Sequence, residues 1–308
     1  MKLTISQAIE YFLLDQRLRG NTDKTITGYQ TFLNLFLDWS VTKGTNDLES
    51  LTLYHVQGYQ LYIDTKPHKN GGKQKLSKRS VQTYIRHVKI FLKYCYSEGF
   101  LSEPIHQKIK LPKAEKPVIE ILTDDEISEI LSCFSKSETG LRNTALILLL
   151  LDCGLRLAEL TKIKSEHINF DKGYMIVTGK GRKERMVPIG LKVRRSMLAY
   201  MHKRRSADSP EDDQYFFLTD ERKRITKSCV ASLMGRLKKS SGVSRLHAHL
   251  FRHTFATNFL VHGIGDVYEL SRLLGHSEIR TTEKYLQIAS FYIIISKRKK
   301  LSYLDIKK

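Results

Sequence analysis

Six side chains in the second half of the chain suit one reaction when they are taken together. They are two arginines, two histidines, one lysine and one tyrosine: Arg156, Arg252, His249, His276, Lys180 and Tyr285. Transfer of a phosphodiester to a tyrosine hydroxyl needs cations on the nonbridging oxygens, where negative charge builds up in the transition state. Arginine suits that role because its planar guanidinium donates paired hydrogen bonds to phosphate. A lysine held against the phosphate can protonate the leaving 5′-oxygen. The set therefore indicates phosphodiester transesterification.

Each of these residues also has a structural interpretation when it is taken alone. Arg156 follows Gly154, which we expect to end a helix, and it could simply pair with Glu159 one turn later. Lys180 lies between two glycines at the predicted tip of a hairpin, where lysines are usually solvated. A lone His276 after a helix-ending glycine is more often a cap than a catalyst. Only the combination favours catalysis.

The choice between two neighbouring histidines depends on helical spacing. His249 and Arg252 are three residues apart, which places them on one face of a helix. His247 lies two residues before His249, so the choice of His249 rests on its offset from Arg252.

The charge of the whole chain indicates a polyanionic partner. Its 308 residues carry 52 Lys+Arg against 32 Asp+Glu, for a net charge of +20. Up to Pro112 there are 16 basic and 9 acidic side chains, and the remainder has 36 and 23, so both parts are basic. Nucleic acid is the usual partner of such a protein. The sequence shows neither a basic amphipathic helix nor an anchor that would favour a membrane.

Other features of the sequence bound the class of protein. The N-terminus lacks the apolar core of a signal peptide, and the longest apolar run, residues 145–151, is far short of a bilayer span of roughly 20 residues. Four scattered cysteines show neither metal-ligand spacing nor disulfide-like density. We therefore expect a soluble cytoplasmic protein, associated with the nucleoid, that binds no metal and needs no cofactor.

The first third of the chain is predicted to be helical throughout residues 4–111. Apolar residues recur at helical spacing near 9–13 and 29–36, a third helix is expected over 53–63, and Ser77 is a plausible N-cap for a helix that runs to Tyr96. Residues 66–97 contain nine basic and no acidic side chains. This block predicts a surface that follows DNA phosphates, although a merely soluble basic helix is the alternative. The predicted DNA-binding residues are Lys66, Lys69, Lys73, Lys75, Lys78, Arg79, Arg86, Lys89 and Lys93.

Two prolines among charged residues mark a linker at residues 112–122, and the pattern changes after it. Thr123 and Glu126 predict a capping box at the start of a helix. Further helices are expected over 124–136, 140–152, 157–163, 191–204, 227–240, 250–262, 266–274 and 278–287. A β-hairpin is predicted from strands at 174–178 and 184–188, and a short strand is possible at 215–218. The fold class is thus mainly α with a small β-sheet.

Five short motifs occur in a fixed order in this second part. They are CGLRLAEL at 153–160, GKGRKER at 179–185 with a Val-Pro pair at 187–188, HLFRHTFAT at 249–257, LLGHS at 273–277 and TTEKY at 281–285. The first arginine precedes the lysine by 24 residues, and His276 precedes Tyr285 by 9. This pattern resembles the tyrosine recombinases, most closely the Xer-type and the integron or phage integrase-like members. The resemblance covers essentially the whole chain, although residues 286–289 depart from the Xer pattern.

The resemblance implies a fold, a partner and an assembly. Residues 1–111 would form an all-helical, SAM-like core-binding domain, residues 112–122 a linker, and residues 123–308 a mixed α/β catalytic domain with a C-terminal tail that docks on a neighbour. The two domains would close as a C-shaped clamp on a double-stranded DNA recombination site. Four identical protomers, or a hetero-tetramer with a related recombinase, would pair two sites and exchange strands through a Holliday junction.

The resemblance also implies a role for each candidate residue. Tyr285 would be the nucleophile and Lys180 the general acid. Arg156 and Arg252 would hold the phosphate, with His249 and His276 hydrogen-bonding it and assisting proton transfer. Glu159 would support the site. The phosphotyrosine would conserve the bond energy, so neither ATP nor a metal would be needed.

Two other functions remain open at this point. A DNA-binding protein that kept the fold without activity is one, although all six reactive residue types are present. A type IB topoisomerase, which has a similar fold and nucleophile, is the other. Among recombinases, chromosome-dimer resolution, phage integration and transposition share this chemistry. Because the helical region starts almost at residue 1, we expect no arm-binding domain of the kind that some phage integrases have.

Overall fold

The computed structural model describes residues 3–67, 75–114, 119–179, 181, 183–204 and 214–300, with the backbone alone over 296–300. Lys69, Lys73 and Lys180 therefore lie outside the described residues, as does the end of the C-terminal tail. Contacts within the chain divide it into two compact units, Met1–Pro117 and Val118–Lys308. The division falls inside the segment 112–122 that the sequence predicts as a linker.

The first unit is a bundle of helices around its own apolar core. The helices are α1 (Ile5–Leu18), α2 (Asp23–Thr42), α3 (Leu53–Thr65), α4 (Lys78–Ser97) and the short α5 (Ile105–Lys108). Thr4, Thr22 and Ser77 accept hydrogen bonds from backbone N–H groups of the first turns of α1, α2 and α4, which satisfies donors that a helix start otherwise leaves unpaired. Phe36 and Phe91 are fully buried in this core.

Helix α4 shows how its sequence divides it into two faces. Val81, Ile85 and Val88 recur at steps of four and three and are buried. Arg79 and Arg86 point to solvent, and Lys93, seven residues beyond Arg86, is exposed as well. We call Arg79, Arg86 and Lys93 the α4 basic face. The spacing of seven keeps these side chains nearly in line, as helical geometry requires.

The second unit contains most of the remaining structure. Its helices are α6 (Asp124–Ser132), α7 (Glu138–Cys153), α8 (Leu157–Leu160), α9 (Leu191–Lys203), α10 (Lys227–Ser240), α11 (Ala248–Val261), α12 (Val267–Leu274) and α13 (Arg280–Lys300). Helix α7 is the centre of the core, with Leu146, Ile147, Leu149 and Leu150 fully buried. A helix that is apolar on every side can only be stable in such a position.

Two helix ends differ from the predicted bounds for clear reasons. Helix α6 ends at Ser132 rather than at residue 136, because Ser137 is needed as the N-cap of α7 and accepts from Gly140 N at 3.1 Å. Helix α13 continues well past residue 287, since no Gly or Pro interrupts residues 280–300.

The β-sheet has three antiparallel strands in the order β1 (Ile168–Asn169), β2 (Tyr174–Thr178) and β3 (Glu184–Pro188). Met175 lies opposite both Ile168 and Val187. The predicted β2–β3 hairpin is confirmed, and so is the mainly helical fold with a small sheet.

The predicted strand at 215–218 is wrong. The third strand of the sheet is β1 instead. Tyr215 and Leu218 make only isolated bridges, to Lys164 and Arg224. Phe216 and Phe217 are both buried, 1% exposed, and pack on Tyr200. In a strand with one buried face, successive side chains would alternate between core and solvent. Two adjacent buried phenylalanines therefore reflect packing on the core rather than a strand paired in the sheet.

Candidate active site

Arg156 and Glu159 are positioned by the end of one helix and the start of the next. Helix α7 ends at Gly154, which has a left-handed backbone with φ 56°. A Cβ there would lie 2.3 Å from Phe255 Cδ1, so only glycine fits. Arg156 then caps α8, and its backbone N–H donates to Glu159 Oε2 at 2.9 Å. Its Nη1 donates to Glu159 Oε1 at 2.9 Å.

A second arginine, Arg185 on β3, holds the same carboxylate from another side. Its Nη1 and Nη2 donate to the two oxygens of Glu159, each at 2.9 Å, and its Nε donates to Leu273 O at 2.7 Å. Glu159 is 4% exposed. Burial acts to raise the pKa of Glu159, but the hydrogen bonds from Arg185 and Arg156 outweigh it and lower that pKa. The carboxylate is therefore charged and has arginine partners on both oxygens.

Arg252 on α11 is the most deeply buried cation of this region, at 3% exposure. Its Nη1 donates to Gly154 O at 2.6 Å, and its Nη2 donates to Leu274 O at 2.9 Å. Burial, followed by the charge of Arg156, lowers the pKa of Arg252 to about 10. The guanidinium thus stays charged at neutral pH and is fixed by backbone carbonyls of two different helix ends.

His276 lies next to Arg252 in the turn after α12. Arg252 Nη2 is 2.9 Å from His276 Nε2, and His276 Nδ1 is 2.7 Å from Thr282 Oγ1. An arginine can only donate, so Nε2 accepts and Nδ1 carries the proton towards Thr282. Burial, followed by the charge of Arg252, lowers the pKa of His276 to about 4. The imidazole is neutral at pH 7.

These residues form one connected set, which we call the buried cluster: Arg156, Glu159, Arg185, Arg252 and His276. Arg156 completes it, because its Nη2 donates to Gly275 O at 3.0 Å. Gly275 has φ 63°, and a Cβ on it would lie 3.0 Å from Arg185 Nη1. The glycine of the LLGHS motif therefore lets the turn approach Arg185 closely.

Tyr285, the predicted nucleophile, lies on α13 beside the buried cluster. Its side chain is 1% exposed, and burial raises its pKa to about 12 against the opposing charges of Arg252 and Arg156. Its hydroxyl is 2.8 Å from His253 Nδ1. The structure thus brings Tyr285, Arg156 and Arg252 into one electrostatic neighbourhood.

The structure separates the roles of the two histidines at the start of α11. His247 is the N-cap, and its Nδ1 accepts from Leu250 N at 3.0 Å. His249 lies within the helix, and burial followed by the charge of Arg252 lowers its pKa. His247 thus caps the start of the helix, while the charge of Arg252 acts on His249.

Two residues to which the sequence assigned no role contact the predicted site residues directly. His253 stands inside the HLFRHTFAT motif and contacts Tyr285, and Arg185 stands at the end of the GKGRKER motif and contacts Glu159. The signal for His253 was its spacing of four residues from His249, which places both on one helix face. Nothing in the sequence alone distinguished Arg185 from the other basic residues of its hairpin.

The hairpin that carries Lys180 starts next to the buried cluster. Lys180 and Arg182 lie outside the described residues. Gly179 N donates to Lys183 O at 2.7 Å, which closes the base of the hairpin. A Cβ on Gly179 would lie 3.7 Å from Glu159 Oε1. The chain thus enters the tip of the hairpin from a point beside Glu159.

Comparison with protein families shows the class of enzyme to which the chain belongs. Residues 120–290 match the model of the phage integrase family. This chain belongs to that family. It is a tyrosine recombinase, an enzyme of site-specific recombination that cleaves and rejoins DNA. The resemblance inferred from the motifs and the predicted enzyme class are confirmed.

Individual relatives extend the likeness over nearly the whole recombinase. This chain is 28% identical over 287 residues to tyrosine recombinase XerC of Bacillus pumilus, and the match covers 91% of this chain and 90% of that protein. It is 29% identical over 293 residues to tyrosine recombinase XerA of Pyrococcus furiosus, covering 94% and 92%.

Two solved structures share the fold of this chain. The Tn1549 transposon integrase, in complex with transposon right end DNA, matches with a TM-score of 0.76 at 19% identity, covering 97% of this chain and 100% of that one. A lambda integrase dimer bound to a core site matches with a TM-score of 0.69 at 17% identity, covering 92% and 95%.

The predicted DNA-binding residues of the recombinase differ in how they are held. Lys78 forms an ion pair with Asp64 of α3 at 2.7 Å, so the fold places an acid beside a block that has none in sequence. Lys89 Nζ donates to Ile109 O at 2.9 Å. Lys66 Nζ lies 5.4 Å from the ring centroid of Tyr62, and Lys75 is exposed. The α4 basic face has no ion pair with an acid among the described residues.

Among the described residues there is neither a metal-binding group nor a membrane-spanning helix. Across the described ranges, no group of three or more His, Cys, Asp or Glu side chains is arranged to hold a metal ion. Within the same part of the chain, no helix combines the length and apolar character needed to cross a bilayer.

Proposed function

We propose that the recombinase cleaves its DNA through Tyr285 and forms a 3′-phosphotyrosyl intermediate. The observation that carries this proposal is the position of the Tyr285 hydroxyl within reach of the charges of Arg252 and Arg156. A phenol attacks phosphorus only where the developing charge on the nonbridging oxygens is neutralised. Two arginines beside a tyrosine provide that environment.

Arg156 and Arg252 hold the scissile phosphate in this proposal, assisted by His249 and His276. Arg252 is already fixed by Gly154 O and Leu274 O, and Arg156 by Glu159 and Gly275 O. Donors that are held in place before the reaction need no reorganisation when charge develops. Glu159 supports the site through Arg156, with Arg185 as its second partner.

Lys180 protonates the leaving 5′-oxygen. An ammonium at a glycine-flanked position can approach a leaving group and donate a proton to it. The adjacent Gly179 lies beside Glu159, which supports a position of Lys180 near the same phosphate.

Double-stranded DNA is the partner, and the basic block of the first unit contributes to its binding. The Tn1549 transposon integrase is in complex with transposon right end DNA, and the lambda integrase dimer is bound to a core site. The net charge of +20 and the α4 basic face suit the same ligand. The predicted DNA contacts are those given by the sequence, Lys66 to Lys93, and the substrate places the enzyme at the nucleoid in the cytoplasm.

Recombination then proceeds in a tetramer, of one chain or with a related recombinase, that pairs two sites through a Holliday junction. The likeness to Xer recombinases over more than nine-tenths of the chain supports this assembly. Residues 112–122 act as the linker between a DNA-binding domain at 1–111 and a catalytic domain at 123–308.

Covalent trapping tests the proposal. A nicked suicide substrate loses a short fragment after cleavage, so the protein–DNA adduct accumulates. Tyr285→Phe removes one hydroxyl and no charge, and we expect it to abolish the adduct while DNA binding stays within about twofold. Tyr292→Phe is the matched control, because Tyr292 lies on the same helix near Arg245 rather than at the buried cluster. An adduct that persists in Tyr285→Phe and is lost in Tyr292→Phe would assign the nucleophile to Tyr292.

A further inference from the structure

His253 is a half-buried titratable group to which the mechanism above gives no task. It lies on α11, directly after Arg252 and four residues after His249. Its Nδ1 is 2.8 Å from Tyr285 Oη, and the two rings are 5.6 Å apart between centroids. The His249 and His253 rings stack with centroids 6.4 Å apart, and with Arg252 they share one face of α11.

From this geometry we infer that His253 is the catalytic group that orients the Tyr285 hydroxyl and accepts its proton during attack on the phosphate. The inference rests on the proposed role of Tyr285 as the nucleophile. It assigns to His253 a task distinct from that proposed for His249, which is to assist in holding the phosphate.

The charge states in the free protein allow this direction of transfer. Burial, followed by the positive charge of Lys284, lowers the pKa of His253 to about 4, so the ring is neutral at pH 7 and has a lone pair. With its pKa raised to about 12, Tyr285 keeps its proton and can donate it to Nδ1. The free enzyme therefore holds a protonated nucleophile already hydrogen-bonded to a neutral acceptor.

The proton moves only as the new bond forms. As Tyr285 Oη bonds to phosphorus, its O–H bond breaks and the proton passes to His253 Nδ1. The P–O5′ bond breaks in the same step, and the 5′-oxygen takes a proton from the general acid. Oη loses basicity as it becomes an ester oxygen, which supplies the driving force that the free pair lacks. A bound phosphate also favours the imidazolium, because opposite charges stabilise each other. In rejoining, the imidazolium returns its proton to Oη.

The test compares variants that keep or remove the hydrogen bond but cannot take the proton. In His253→Asn, the amide can occupy the position of Nδ1 without acting as a base at neutral pH. We expect single-turnover cleavage of the suicide substrate at saturating protein to fall by about 10²-fold at pH 7. The Kd for DNA should stay within about twofold.

The pH profile separates proton transfer from orientation. In His253→Asn the phenol must ionise into solvent, so the cleavage rate should rise about tenfold per pH unit between pH 7 and 9, while the wild-type rate follows a shallower curve. The groups facing His253 are His247, His249 and Arg252 from α11 and Lys284 and Tyr285 from α13. They are present in both proteins, so the difference between the profiles isolates His253.

Two controls complete the design. His262→Asn changes the C-cap residue of the same helix, exposed and outside the site, and should leave the rate unchanged. His253→Ala should regain cleavage when imidazole is added, provided that its melting temperature shows a folded protein. Should His253→Ala fail to fold, the Asn variant decides alone.

Three outcomes overturn the inference. They are an unchanged rate in His253→Asn, a faster rate, which would make the hydrogen bond a restraint on Tyr285, and a loss with an unaltered pH slope, which would make His253 an orienting group only. The Tyr285→Phe variant separates the two levels: if it still forms the adduct, the proposed nucleophile is wrong. If it does not, any of the three outcomes counts against His253 alone.

Discussion

Arg252 and Arg86 both lie within long helices, yet the side chain of Arg252 is buried and that of Arg86 is exposed. Arg252 is 3% exposed and donates to two backbone carbonyls at 2.6 and 2.9 Å. Arg86 is exposed and donates to Gln82 Oε1 of its own helix at 3.4 Å. Glu159 and Arg185 of the buried cluster are also largely enclosed, with side chains 3% and 14% exposed, while Arg156, at 35%, lies at its solvent-facing edge.

The contrast teaches what each kind of cation can do. A charge fixed in a water-poor site acts strongly on the atoms beside it and loses little to reorganisation. A charge on a mobile exposed side chain is screened by salt, and its effect on a polyanion comes mainly from released counterions. We therefore expect the buried cluster to control the rate of cleavage and the α4 basic face to control the salt dependence of binding.

The largest expected effect lies at the hairpin next to the buried cluster. Lys180→Ala should slow cleavage by about 10²- to 10⁴-fold, the range for loss of a general acid. A substrate with sulfur in place of the 5′-bridging oxygen should restore most of the rate, because a thiolate leaves without a proton. The rate of adduct formation on both substrates measures this. Without rescue, the general acid would be another residue, and the hairpin would only bind.

Loss of either arginine of the site should come next. Arg156→Ala and Arg252→Ala should each slow cleavage by about 10²-fold or more, the scale for removing one fixed transition-state donor. The salt slope of DNA binding should change by no more than about one unit. Single-turnover cleavage and binding at several salt concentrations test both statements. Variants that bind with a much flatter salt slope but cleave at the normal rate would show that these arginines act in binding and do not control the rate of cleavage.

The free energy of unfolding should also depend more on the buried charges than on the exposed ones. Arg185→Met removes one of two partners of the buried Glu159, and should lower the free energy of unfolding by about 3 kcal/mol. Lys78→Met removes the partner of the half-exposed Asp64, and should cost about 1 kcal/mol or less. Urea unfolding of the two variants gives the difference. Equal losses would show that the buried network is no more tightly coupled than a surface ion pair.

The smallest effect on chemistry is expected from the α4 basic face. Replacing Arg79, Arg86 and Lys93 with Gln should flatten the salt dependence of log K by up to roughly 3 units, at about 0.9 per lost phosphate contact. Cleavage of a pre-bound suicide substrate should change far less. A variant with Gln at Lys24, Lys43 and Lys110, which are all exposed, removes the same three charges elsewhere in the first unit and controls for net charge. Normal binding at every salt concentration would mean that this face is only solvated surface.

Much of the fold and of the site could be predicted from the sequence because the signals are local. The bounds of α10 and the β2–β3 hairpin follow from caps, glycines and periodicity, each of which acts within a few residues. The capping box at Thr123 was predicted for the same reason. The bounds of α6 and the strand at 215–218 were wrong because each depended on a neighbour, the N-cap of α7 in one case and the packing on Tyr200 in the other.

By itself, the sequence determined the family, the reaction and the set of reactive residue types, since ordered motifs and their spacing carry that information along the chain. Only the tertiary structure decided which atoms meet. Arg185 and Glu159 are 26 residues apart, Arg252 and Gly154 are 98 apart, and His253 and Tyr285 are 32 apart. Such contacts arise when helices and strands bury their apolar faces together, and no local rule relates their positions. The acid-free block shows the same dependence on the fold, because folding placed Asp64 beside Lys78 and gave this predicted DNA contact an acidic partner that its own segment lacks.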